Sequence, residues 1–196
     1  MTFVIKGKGH EAMKREVGRL LKENDPEEIM AEITKRKRIG KIIVYHKKGD
    51  ADIKEPNIVY VDFGPKPHGA FDIWATICHE VVHLMLRRDP PWYANEQTQK
   101  ILKHHKKYVP VNFHYSFQYL IEQSLAFMIQ VTCIYEVGQC RLEYKVWKTM
   151  FENSGVSLFT KTAWKDWLRY LKSKDDYDSI DDWIAETLEK HWRISK

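Results

Sequence analysis

The chain has 196 residues, 43% hydrophobic and 30% charged, with a net charge of +5 and a pI near 8.9. This is the balance of a globular domain with a sizeable core, and it excludes a disordered or low-complexity chain. Three cysteines, Cys78, Cys133 and Cys140, with no C-x-x-C pair, exclude a disulfide scaffold and a cysteine-based zinc site; all three are expected to be buried as small apolar residues. The first eight residues lack the apolar stretch of a signal peptide, which points to the cytoplasm.

In chain order, residues 11–23 and 27–38 are expected as two helices, separated by Asn24-Asp25-Pro26, with Asp25 as cap and Pro26 at the first helical position. Residues 41–46 read as a strand, 49–52 as a turn, and 57–63 as a second strand ended by Gly64-Pro65. A helix from about Gly69 to Arg88 follows and is stopped by Pro90-Pro91. Further helices are expected at 94–107, 114–136, 139–153, 161–173 and 179–192. The order predicts one α+β domain over 1–196: a small antiparallel sheet, a central helix and a mostly helical C-terminal half. The catalytic core spans 57–135 and the helical C-terminal part 139–196. The strand at 57–63 could be a sheet edge that accepts an extended peptide by main-chain pairing, or an ordinary sheet strand.

Residues 79–83 are His-Glu-Val-Val-His, within an apolar run from Ile77 to Leu86. On a helix, residues four apart are separated by about 40°, so His79 and His83 can reach one metal ion. Glu80 flanks the pair and is placed to take a proton from a metal-activated water. The setting agrees with the motif. Asp72, Thr76, His79, His83 and Arg87 share a polar stripe, while Trp74, Cys78, Val81 and Met85 form an apolar one, with Ile73, Ile77 and Leu84 between core-facing positions.

A catalytic zinc has three protein ligands and one open position. Between Tyr115 and Tyr135 the only formally charged residue is Glu122. A carboxylate in so apolar a helix is costly unless a metal or a cation such as Arg87 meets it, which nominates Glu122 as third ligand. Gln118, Gln123 and Gln130 on the same helix argue for a soluble core helix and against a membrane span. Asp89 is the rival, ten residues after His79. A metal site using that spacing needs a glycine where this chain has Leu86, and ten helical residues rise about 15 Å. His104, His105 and His114 are further alternatives, and His114 or Tyr115 could donate to a substrate oxyanion.

His79-Glu80-x-x-His83 followed by Glu122-x-x-x-Ala126 on a later helix resembles the gluzincin group of zinc metallopeptidases. Among small cytosolic proteins it is similar to the ImmA/IrrE-like peptidases. The resemblance covers about residues 57–135, with the helix at 94–107 inserted between the two motifs. It implies a zincin-like fold, a zinc ion held by His79, His83 and Glu122, Glu80 as general base, and hydrolysis of a peptide or protein substrate.

The second reading is a non-catalytic binding module, in which Lys35-Arg36-Lys37-Arg38 and Lys103-His104-His105-Lys106-Lys107 meet nucleic acid or an acidic partner. Nucleic acid is the less favoured partner. Residues 1–56 carry 14 basic and 10 acidic residues, whereas 57–140 balance at 7 and 7.

Overall fold

The computed structural model describes residues 2–54, 56–67, 69–105, 116–153 and 155–192. Four strands form one sheet: β1 (Phe3–Lys6), β2 (Ile42–His46), β3 (Asp52–Lys54) and β4 (Ile58–Val61), in the spatial order β1-β2-β4-β3. β1 runs parallel to β2, with Phe3 opposite Ile42, and β2 runs parallel to β4, with Val44 opposite Val59. β3 is antiparallel to β4, with Ile53 opposite Val59. The α+β class is as expected, but the sheet is mixed rather than antiparallel. The short strands β1 and β3 are additional to the two strands expected, and β3 begins at the end of the expected turn. β4 lies between β2 and β3, so it is not the edge; β1 and β3 are.

The strands alternate in burial. Phe3, Ile42, Val44, Val59 and Val61 are buried, while Tyr45 and Tyr60 stack on the opposite face. Such one-sided alternation is commonest in antiparallel sheets, which is why the parallel pairing was missed. The helices α1 (Glu11–Glu23) and α3 (Ala70–Arg87) pack on the apolar face, against β1 and against β3 and β4 respectively.

Helix α2 (Pro26–Thr34) starts as expected: the Asp25 carboxylate accepts from the amides of Glu27 and Glu28, and Pro26 opens the first turn. It stops four residues earlier than expected, at Lys35, whose φ of 55° is left-handed. The basic run beyond it is pulled out of helix by carboxylates elsewhere. Lys35 pairs with Asp175, Arg36 with Asp181, and Arg38 with Asp25 and Glu27.

After α3, a short 3-10 turn (Trp92–Ala94) leads into α4 (Glu96–His105). Then come α5 (Phe117–Glu136), α6 (Tyr144–Asn153), α7 (Ser157–Ser173) and α8 (Ile180–His191). α5 is the central helix, with fourteen buried residues packed against α3, α2 and α7. Among the described residues no helix is long and apolar enough to cross a membrane. Cys78 and Cys133 are buried free thiols, and burial raises both their pKa values; Cys140 is only half-buried.

Candidate metal centre

The stripe pattern of α3 is realised. Ile73, Trp74, Ile77, Cys78, Val81, Leu84 and Met85 are buried in the core, which fixes the rotation of the helix and turns His79 and His83 toward α5. Their Nε2 atoms stand 3.3 Å apart. Two nitrogens bound to zinc at tetrahedral angles lie about 3.3–3.4 Å apart, so this spacing fits a shared ion. Gln123 of α5 closes the group: its Oε1 is 3.2 Å from His79 Nε2 and its Nε2 is 3.1 Å from His83 Nε2.

The outer nitrogens are the second test of fit. His83 Nδ1 donates to Glu122 Oε1 at 2.7 Å, which leaves the Nε2 lone pair for a metal. His79 Nδ1 is buried and has no hydrogen-bond partner. Gln130, seven residues after Gln123 and on the same face of α5, also has a buried partnerless atom, Oε1, while its Nε2 donates to the Ala75 carbonyl. The Gln130 amide is one of the groups that act on the His79 ring. A metal at Nε2 requires His79 to carry its proton on Nδ1, and that N–H would then have Gln130 Oε1 as acceptor. The two orphaned atoms are thus complementary in the metal-loaded tautomer.

Burial, and then the neighbouring His83, lower the His79 pKa to about 4, so the ring is neutral at physiological pH, as a ligand must be. Glu80 lies half-buried on α3. Burial raises its carboxyl pKa, Asp52 of β3 adds to the rise, and His83 and Arg87 oppose it. A carboxylate held above its ordinary range is a better proton acceptor.

Glu122 is not where a third ligand was expected. Its Oε1 accepts hydrogen bonds from His83 Nδ1–H and from Arg87 Nε, each at 2.7 Å, and its Oε2 accepts from the Trp92 indole at 3.4 Å. A nitrogen–oxygen distance of 2.7 Å is a hydrogen bond, too short for an ion between the two atoms. The expected cost of a buried carboxylate is met by Arg87 and His83; burial pushes the Glu122 pKa up, but these partners outweigh it and the net shift is downward. Among the described residues no group of three His, Cys, Asp or Glu side chains could hold a metal.

Asp89 lies exposed beyond the end of α3, and His104 and His105 sit at the end of α4, where His105 Nε2 bonds the Trp192 carbonyl at 2.8 Å. None of the three joins the histidine pair. His114 and Tyr115 lie outside the described residues. Beside Glu122 opens a cavity of about 370 Å³ lined by Arg87, Tyr93, Ser116, Gln118, Tyr119 and Glu122.

Gln123, Gln130 and Trp92 were not singled out for the site in the sequence reading. The available signal was polarity: two glutamines seven apart on a mostly apolar helix share one face, and a face so marked needs polar partners. No family model matches the chain, and comparison with curated proteins and with solved structures finds no match either.

Proposed function

We propose that the chain is a zinc-dependent peptidase that hydrolyses peptide bonds with Glu80 as general base. The observation that carries this reading is the convergence of His79 and His83 Nε2 at a zinc-like 3.3 Å, beside a carboxylate whose pKa is raised by burial. A bound zinc supplies Lewis acidity, lowering the pKa of water and polarising a carbonyl. Glu80 then accepts the proton of the attacking water and delivers it to the leaving amine. Glu122 keeps His83 in the tautomer with Nε2 unprotonated, and Arg87 and Trp92 keep Glu122 in place.

The edge strand β3 supports an extended peptide as substrate. It packs against α3, and its Asp52 acts on Glu80, so a strand added at its outer side would pass the proposed base. Tyr93 and Tyr119, which with Ser116 line the adjoining cavity, are hydroxyl candidates for an oxyanion donor beside His114 and Tyr115. A cytoplasmic setting is proposed with this reading, from the buried free thiols of Cys78 and Cys133. The alternative of a basic binding module gains no support from the 35–38 run, because Lys35, Arg36 and Arg38 are each paired with a carboxylate of the same chain.

Glu80→Gln tests the reading. The amide keeps the shape but cannot take a proton at neutral pH. Zinc content and thermal stability should match the parent, while cleavage of peptides in a proteome-derived library, read by mass spectrometry, should fall roughly 100-fold or more. Equal cleavage by parent and variant, both zinc-loaded, sinks the mechanism. A zinc-loaded parent that cleaves nothing sinks the peptidase assignment.

A further inference from the structure

We propose that the side-chain oxygen of Gln123 is the third protein donor to the metal, and that Glu122 acts only through His83. The proposal rests on the zinc reading above and names the ligand that reading lacks. Three atoms or groups converge at one point: His79 Nε2, His83 Nε2 and the Gln123 amide, with mutual distances of 3.3, 3.2 and 3.1 Å. The two edges between donor atoms, His79 Nε2–His83 Nε2 and His79 Nε2–Gln123 Oε1, are close to the roughly 3.3 Å expected around one tetrahedral zinc, while the third is made by the amide nitrogen, so Oε1 comes to face His83 only when the amide rotates.

Helix geometry makes Glu122 and Gln123 exclusive alternatives. Neighbouring helical residues diverge by about 100°, so only one of them can face the Nε2 pair at a given rotation of α5. That rotation is set by the core. Ile121, Leu125, Met128 and Ile129 are fully buried, and Gln130 ties α5 to the Ala75 carbonyl of α3. It sends Glu122 to the outer nitrogen of His83, where His83, Arg87 and Trp92 all donate to it. Moving Glu122 to the metal would leave the buried His83 Nδ1–H without its acceptor and the half-buried Arg87 without its partner.

Without metal the Gln123 amide bridges the two imidazoles by hydrogen bonds. Its N–H donates to the bare Nε2 of His83, and its Oε1 accepts from the Nε2–H of His79. With metal, Oε1 turns its lone pair to the ion, and the His79 proton resides on Nδ1, toward Gln130. The change needs only a tautomer shift of His79 and rotation of one amide. The donor set is then neutral, two imidazoles and an amide oxygen, with the compensating negative charge one bond further out on Glu122.

The test is binding of Zn²⁺ and Co²⁺ to the full chain, by competition with a chromophoric chelator and by the Co²⁺ d–d absorption, with circular dichroism to confirm folding. Gln123→Leu should weaken Zn²⁺ roughly 100-fold and shift the Co²⁺ bands, because water replaces a protein donor. Gln123→Glu should bind Zn²⁺ roughly tenfold tighter or more, since an anionic oxygen replaces a neutral one. Glu122→Gln should weaken Zn²⁺ roughly 10- to 100-fold, the scale of an outer partner, and leave the Co²⁺ bands at saturation in place. The proposal is overturned if Glu122→Gln shifts the bands while Gln123→Leu does not, or if Gln123→Glu binds no tighter than the parent. Should Gln123→Leu fail to fold, Gln123→Glu and Glu122→Gln decide. A parent that takes up no Zn²⁺, or His79→Ala and His83→Ala variants that keep a full equivalent, refute the zinc reading itself, which is a different outcome.

Discussion

His83 is the residue on which the centre turns. It is buried, its outer nitrogen is held by Glu122 and its inner one faces His79 and Gln123. His79, Glu80 and His83 were legible in the sequence because their spacing alone places them on one helix. Glu122 was legible as a buried charge in need of a partner, but not which partner, since Arg87 and a metal both answer the same electrostatic demand. Gln123 and Gln130 were not legible as site residues. A glutamine carries no charge to betray its burial cost, and its partner is decided by the rotation of α5 against α3. Gln130→Leu checks the outer contact proposed for His79 in the metal-loaded tautomer. It would remove the acceptor available to His79 Nδ1–H, so Zn²⁺ affinity should drop roughly tenfold by chelator competition. Stability without metal should fall by only about 1 kcal/mol, for the lost bond to Ala75. Unchanged affinity would show that Gln130 does not orient His79.

At the scale of elements, the C-terminal end of α3 is closed by a side chain from elsewhere. Arg36 donates to the carbonyls of Met85, Arg88 and Pro90, and its guanidinium meets both oxygens of Asp181 at 2.8 Å. One residue therefore satisfies the last turn of the motif helix and ties it to the start of α8. Arg36→Met should destabilise the fold by about 3 kcal/mol in urea unfolding, because Asp181 and the helix carbonyls lose their partner together. A change under about 1 kcal/mol would show that water replaces the arginine. The helices with strong periodicity, α1, α3 and α5, were readable along most of their length. The end of α2 was not, because Lys35 to Arg38 retain ordinary helix propensity and leave the helix only for carboxylates and carbonyls brought near by folding. β1 and β3 were missed for a related reason. Strands of four and three residues carry too little pattern, and their assignment is made by the neighbours they pair with.

At the scale of the molecule, Asp166 clasps the middle of α7 to the C-terminal end of α8. It lies on α7 and is nearly buried; Lys190 and His191 of α8 approach it at 2.7 and 2.6 Å. Burial raises its pKa, but the hydrogen bonds from Lys190 and His191 outweigh this and the net shift is downward. A carboxyl with a lowered folded-state pKa contributes stability that is complete above its unfolded value, near 3.9, and is lost as the pH falls through the folded value. Stability measured between pH 6 and pH 3 should thus fall less steeply in Asp166→Asn than in the parent, with the parent the more stable at pH 6. Parallel curves would remove the clasp from the stability balance. Metal should act on the whole fold as well, since an ion held by His79 and His83 of α3 and Gln123 of α5 would join the two helices. Zn²⁺ at 100 times its dissociation constant should add about 2.7 kcal/mol to unfolding, reversed by a chelator. A melting temperature indifferent to zinc would mean that the ion does not bind the folded state preferentially.

The strand order β1-β2-β4-β3 has a consequence for how the chain reaches this fold. β3 and β4 pair locally in sequence, whereas joining Phe3 to Ile42 closes a long loop that contains α1 and α2. Refolding should therefore be slower than the abundance of helix suggests, and the amides of β1 should gain protection from hydrogen exchange after those of α3 and α5. Pulse-labelling during refolding would reveal that order: a sheet completed last from its first strand, around a centre that the helices assemble earlier.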